Sequence, residues 1–245
     1  MDPGLRRDDN KRMSMRNKNE NMTKHRKTIV CIFAHPDDEA FGPGGTIAQM
    51  AREADVYIIC ATKGEAGNTK ACASGETPLE HMRAGELEAS GKILGVKEVF
   101  FLGFRDGELC NNKYHEIAEK VEEILQKLKS EEIITFEPLG VSGHIDHVAI
   151  AMVSSFVFQR LDYIKKIWYF CISEEMVARH DPYFIYIPPG YKPTEVDIIN
   201  DVSNVWDVKI KAMREHKSQS DDAAMLLNTM GDLMKQELFL IREKK

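Results

Sequence analysis

The chain has 245 residues, 43% of them hydrophobic, with a net charge of −6. That length and apolar content suit one sizeable α/β domain with a real core, and exclude a disordered chain. No run approaches the roughly 18 apolar residues of a membrane span, and no basic stripe with interleaved aromatics marks a nucleic-acid face.

Residues 1–27 stand apart. They hold nine Lys/Arg against four acids and almost nothing apolar, so they read as a disordered basic extension, with residues 28–245 as the domain. The segment lacks the apolar h-region of a signal peptide, and Met13, Met15 and Met22 offer alternative starts. After it, strands alternate with helices. The apolar runs predict strands over 28–34, 56–62, 98–102, 133–137 and 167–172. Helical patterns fall between them, at 46–53, 79–94, 114–129 and 148–161. The third places Ile117, Val121, Ile124, Leu125 and Leu128 on one face. This alternation predicts a single Rossmann-like domain: a doubly wound, mostly parallel sheet with helices on both faces. Further on, 183–187 before Pro188-Pro189 reads as an edge strand and 195–202 as another. Ser203 is the expected cap of a helix to Glu215, and a last helix is expected from Asp221 to Arg242.

Five cysteines occur at irregular spacing with no Cys-x-x-Cys. Cys31, Cys60 and Cys171 fall in predicted strands and read as core residues in a reducing, cytoplasmic setting; Cys72 and Cys110 have no assigned role.

The chemistry concentrates in two stretches. Ala34-His35-Pro36-Asp37-Asp38-Glu39 follows the first strand, which Pro36 must end because it has no N–H and biases His35 away from helix. Gly143-His144-Ile145-Asp146-His147 follows the strand at 133–137. In an open α/β sheet the carboxyl ends of strands are where ligands bind. Imidazole plus carboxylate is a zinc-type ligand set, and an adjacent carboxylate can stay free as a base. Alone, the first stretch could be an acidic turn, and the pair His144/His147 a helix face. Together at two strand ends they point to a metal. Gly42-Pro43-Gly44-Gly45 invites a nucleotide-loop reading, but Gly-x-Gly-x-x-Gly is missing and Pro43 removes an N–H that a phosphate would need.

These two stretches resemble the signature pair of the PIG-L/LmbE-like N-acetylglucosaminyl deacetylases. The resemblance runs from about Thr28 to Gln219. It takes in Thr62-Lys63-Gly64-Glu65, Arg83 with Glu86, Arg105-Asp106-Gly107 and His216-Lys217-Ser218-Gln219; Ile145 departs from it where the family often has Pro. The sequence alone does not divide the roles of Asp37 and Asp38. The resemblance implies His35, Asp38 and His147 as Zn2+ ligands and Asp37 as the base. It implies His144 as an imidazolium that polarises the developing oxyanion or protonates the leaving amine, with Asp146 hydrogen-bonded to that ring. Asp146 could also cap a helix starting near Val148, and both roles can hold at once. Arg83 and Asp106 are expected on sugar hydroxyls, against bland readings as a helix-face ion pair with Glu86 and a turn residue. Glu65 falls at the same sheet edge as the site, where a site role and a loop-ordering role are equally open; His216 and Gln219 are left without a role.

The implied activity is zinc-dependent removal of acetyl from an N-acetylated amino sugar or its conjugate. The alternatives are an amidase acting on a sugar–thiol conjugate and a catalytically silent metal- or sugar-binding protein. The expected partner is that small molecule, without nucleic acid, and the resemblance allows a homo-oligomer.

Overall fold

The computed structural model describes residues 26–67, 77–179 and 184–244. Residues 1–25 of the basic extension, Cys72 and Tyr183 lie outside the described residues. Arg26 and Lys27, grouped with the extension by composition, already belong to the fold. Arg26 donates to Asp55 Oδ1 at 2.9 Å and to Ala54 O at 2.8 Å, and Lys27 pairs with Glu132 at 2.6 Å.

The elements run in this order: β1 (Thr28–Phe33), α1 (Asp38–Phe41), α2 (Gly44–Met50), β2 (Asp55–Cys60), α3 (Leu79–Leu94), β3 (Glu98–Phe101), α4 (Tyr114–Leu128), β4 (Glu132–Phe136), α5 (Ile145–Arg160), β5 (Lys166–Cys171), α6 (Glu174–Ala178), β6 (Ile198–Asp201), α7 (Trp206–Glu215), α8 (Ser220–Met230) and β7 (Gln236–Glu243). They form a seven-stranded sheet of order β3-β2-β1-β4-β5-β7-β6. The first five strands are parallel, and β7 runs antiparallel to both β5 and β6.

Side chains alternate along a strand, so β1 feeds two cores. Ile29, Cys31 and Phe33 pack with Ile47 of α2, Leu87 and Leu94 of α3 and Met213 of α7. Val30 and Ile32 pack on the opposite side with Ile117, Val121 and Leu125 of α4 and Ile150, Val153 and Val157 of α5. The strand order turns back at β1: the chain winds outward through β2 and β3, then returns to lay β4 on the other side of β1. The loops after β1 and β4 therefore diverge at the carboxyl edge and leave a crevice between them.

Several expectations are corrected. The expected helix from 221 to 242 ends at Met230; Gly231 breaks it, a 3-10 turn follows, and Glu237-Leu238-Phe239-Leu240-Ile241 alternates as a strand. Ser203 does not cap α7. A 3-10 turn, Ser203–Val205, precedes that helix, and Asp201 Oδ1 accepts the Ser203 N–H at 2.8 Å. Residues 184–187 are not strand. They cross over Gly143, where any side chain would strike the Tyr186 carbonyl. The turn at Gly42–Gly45 is preceded by the short α1, which begins inside the acidic stretch itself. Among the described residues no helix is long and apolar enough to cross a membrane.

The glycine loop before α2 holds an internal anion. Glu237 of β7 accepts the N–H of Gly45 at 2.8 Å and of Thr46 at 2.7 Å, and pairs at 2.7 Å with the buried Lys209. A carboxylate of the protein thus occupies the place a nucleotide phosphate would need.

Candidate active site

Pro36 stops β1, and the chain turns at Asp37 with φ 106° and ψ −28°. A non-glycine residue rarely adopts this conformation, which costs on the order of 1–3 kcal/mol and persists only when surroundings enforce it. The turn folds Asp38 back so that its Oδ2 accepts the N–H of His35 at 2.8 Å and of Ala34 at 3.1 Å. From the other loop, His147 stands on the first turn of α5. His35 Nδ1 lies 3.2 Å from His147 Nε2, and Asp38 Oδ1 lies 3.2 Å from the same nitrogen. The three side chains are 8%, 7% and 12% exposed for His35, Asp38 and His147.

The far nitrogens of the two rings decide what the near ones can do. His147 Nδ1 faces Gly140 O at 3.1 Å and Ser142 Oγ at 3.1 Å, so its proton sits there and Nε2 presents a lone pair. His35 Nε2 faces Asp106 Oδ1 at 3.0 Å and Asp146 Oδ2 at 3.2 Å, so its Nδ1 presents a lone pair as well. Two lone pairs and a carboxylate converge on one point, which is a cation's donor set. The surrounding acids also favour the charged ring: burial alone would lower the His35 pKa, but hydrogen bonds to Asp106 and Asp146 outweigh it and raise it to about 10, so a cation must displace the Nδ1 proton before that lone pair is available. Asp38 resists burial through His147 and His35 and stays well below the ordinary carboxylate range. A second group, His35, Asp106, His144 and Asp146, is also close enough to hold an ion. It shares His35 through the opposite nitrogen, so its carboxylates serve as the hydrogen-bond shell that orients the first group.

Asp37 lies beside this cluster, 16% exposed, with Oδ2 at 2.9 Å from Arg83 Nη2. Burial raises its pKa, Arg83 opposes, Asp38 adds to the rise, and the result is about 6. That suits a base at neutral pH.

Three expected contacts are corrected. Arg83 is not free for sugar hydroxyls, nor does it lie on a solvated face paired with Glu86. It is buried, donating to Gly64 O at 2.8 Å, Pro36 O at 2.7 Å and Asp37. It passes so close to Gly64, at φ 70°, that any side chain there would collide with the guanidinium. Asp106 is 7% exposed and committed to His35 and the Ala66 N–H, so it stands behind the cluster. The Asp146 carboxylate goes to His35 and to the N–H groups of Gly107 at 2.8 Å and Leu109 at 3.1 Å. Only its backbone N–H meets His144, donating to Nδ1 at 3.1 Å. His144, not Asp146, caps α5, which starts at Ile145. With Nδ1 accepting, His144 is a neutral ring carrying its proton on Nε2. Burial, together with His35 and His147, lowers its pKa to about 4 against the pull of Asp146. The ring packs edge-on against His35 and Phe184.

Glu65, for which the sequence left a loop-ordering role open, accepts the Asp106 N–H at 3.1 Å and so supports that loop. Sequence reading also passed over Glu39. It is fully buried, and its carboxylate takes Ser90, His216 and the Asp37 N–H.

Fold and cluster together define a Rossmann-like protein with a His/Asp site of metal-binding type at its switch point. The chain belongs to the PIG-L family: residues 30–157, which span both site loops, match the family described as GlcNAc-PI de-N-acetylase. A probable N-acetyl-α-D-glucosaminyl L-malate deacetylase 2 from Bacillus cereus is 31% identical over 207 residues, covering 82% of this chain and 86% of that relative. An inhibitor-bound N,N'-diacetylchitobiose deacetylase from Pyrococcus horikoshii superposes with a TM-score of 0.63 at 24% identity, over 91% of this chain and 86% of that one. The 4-carboxy-2-hydroxymuconate hydratase from Pseudomonas putida superposes at 0.67 with 16% identity, over 89% and 97%. At such identities the two solved structures speak to the fold alone.

Proposed function

We propose that the protein is a zinc-dependent hydrolase that removes the acetyl group from an N-acetylglucosamine-type substrate, giving acetate and a free amino sugar. The observation that carries this is the convergence of His35 Nδ1, His147 Nε2 and Asp38 beside a second carboxylate, Asp37, whose pKa lies near 6. The relatives' names supply the substrate class.

His35, His147 and Asp38 would hold the zinc, which when bound supplies Lewis acidity at the carbonyl and lowers the pKa of the attacking water. Asp37 takes the proton of that water as its oxygen bonds to the acetyl carbon. Charge then develops on the carbonyl oxygen, and the neutral His144 donates its Nε2–H there. This role follows the tautomer set by the Asp146 N–H, in place of the imidazolium expected from sequence. Asp37 returns the proton to the nitrogen, the carbon–nitrogen bond breaks, and the amine leaves. A carboxyl of pKa about 6 suits both halves of this shuttle, because it accepts and releases a proton near neutrality.

The test is a panel of N-acetylated amino sugars and sugar–thiol amides followed by mass spectrometry, with elemental analysis of the protein. Loss of one acetyl group with about one zinc per chain is expected. Cleavage confined to the sugar–thiol amides would move the reading to that amidase. Zinc without any turnover would leave a silent binding protein.

A further inference from the structure

The geometry points to His216 as a positioning residue for Asp37, acting through Glu39; this rests on Asp37 being the base. The peptide group between Pro36 and Asp37 is gripped at both ends. Its carbonyl oxygen accepts from Arg83 Nη2 at 2.7 Å, and its N–H donates to Glu39 Oε2 at 3.1 Å. A peptide plane is rigid, so fixing both ends fixes its rotation and holds Asp37 at φ 106°. The Asp37 carboxylate can then point only where this backbone aims it.

Glu39 is in turn immobilised. Its Oε1 accepts from Ser90 Oγ and lies 2.7 Å from His216 Nε2, with Glu39, His216 and Ser90 all fully buried. Arg83 and Ser90 lie seven residues apart on α3, two turns along one face, so a single helix reaches both ends of the clamp. Glu86, on that same face, accepts the Ser218 N–H at 2.9 Å and its Oγ at 2.6 Å. This docks the turn carrying His216 onto α3. The His216-Lys217-Ser218-Gln219 stretch is therefore part of the catalytic apparatus without facing substrate. His216 is the bolt behind Glu39, and Glu39 holds the strained peptide.

The test uses full-length, zinc-loaded protein and N,N'-diacetylchitobiose as probe substrate. The variants are His216→Gln, Glu39→Gln, Ser90→Ala, Asp37→Asn and the double variant Asp37→Asn/His216→Gln. Loss of an orienting partner of this kind costs about 10- to 100-fold. That loss should fall on kcat for His216→Gln and Glu39→Gln, with KM within about twofold and zinc content at the wild-type level. Ser90→Ala, the mildest change, should lower kcat in the same direction by a few-fold and serves if His216→Gln fails to fold. In the Asp37→Asn background the His216 substitution should add less than about twofold, because the group it positions is already gone. Wild-type kcat in His216→Gln, or in Ser90→Ala where His216→Gln does not fold, would overturn the proposal. So would an undiminished His216 effect in the Asp37→Asn background, or a loss of kcat matched by loss of zinc. Full activity of Asp37→Asn would remove the base assignment and this proposal with it, whereas an inactive Asp37→Asn beside a fully active His216→Gln would remove the proposal alone.

Discussion

The loops after β1 and β4 each bring an imidazole to the same point, but they are held by different means. Behind the β1 loop stand charged side chains from distant parts of the chain, Arg83, His216, Asp106 and Asp146, together with the loop's own buried Glu39. The β4 loop is held mostly by the buried carboxylate of Glu137 at its own start, to which Tyr191 donates its hydroxyl at 3.2 Å. Glu137 accepts the N–H groups of Leu139 at 2.8 Å and Val141 at 2.9 Å, and His147 rests on Gly140 O. Strain is stored on both sides, at Asp37 and at Val141 with φ 63°. The outer surface of the β4 side is open and apolar, with Leu139 47% and Ile145 68% exposed. In the proposed mechanism the charged shell lies behind the base Asp37 and the ligands His35 and Asp38, while the β4 loop carries His147 and His144 and meets solvent.

The shared cluster should fail alike from either side, whereas the two adjacent carboxylates of the β1 loop should fail differently. The largest effect is expected from His35→Ala and His147→Ala, which should strip the metal; full zinc in both by elemental analysis would end the ligand assignment. Asp37→Asn should keep zinc yet lose about 10²–10⁴-fold in kcat, the usual worth of a general base. Asp38→Ala should instead lose zinc, and the reverse pattern would swap the two carboxylates' roles.

A smaller effect concerns pH. Asp37 works as a base only when ionised, and burial lifts its pKa to about 6. Activity should therefore be full above that value and fall about tenfold per unit below it, in the acid limb of kcat/KM. A flat profile down to pH 5 would refute this. Ser142→Ala leaves Gly140 O on His147 Nδ1, so metal affinity should weaken about tenfold at most, measured by chelator competition. The smallest effect belongs to Ile145→Ser on the open rim. Stability should shift within about 0.5 kcal/mol in denaturant titration, and a large loss would show that this rim is packed rather than open.

Much of this was legible in the sequence because it is local. β1 to β5 announce themselves as short apolar runs, and the helices between them by their spacing. The motifs at 34–39 and 143–147 sit where strands end. What escaped was set by partners far along the chain. Nothing near His216 announces Glu39, which lies 177 residues away. Arg83 and Asp106 carry the charge and hydrogen-bonding capacity of sugar-binding residues, and only their burial among Asp37, Pro36, Gly64 and His35 turns them inward. The helical reading of 221–242 followed Met225, Leu226, Leu233, Leu238 and Leu240. It missed that Gly231 resets the period and that 237–241 alternates.

The contact of Glu237 with Gly45 and Thr46 carries a consequence for biosynthesis. Every residue of the candidate site precedes β7 in the chain, yet β7 supplies the acceptor for the start of α2 and inserts between β5 and β6. A ribosome could expose both site loops while this partner was still unmade. Lys209 would then have no carboxylate to neutralise it, and burying it unpaired is costly. We expect a released chain ending at Lys235 to remain protease-sensitive around α2 and α7, and one that includes all of β7 to become resistant. Equal resistance of the two chains would show that the sheet closes without β7.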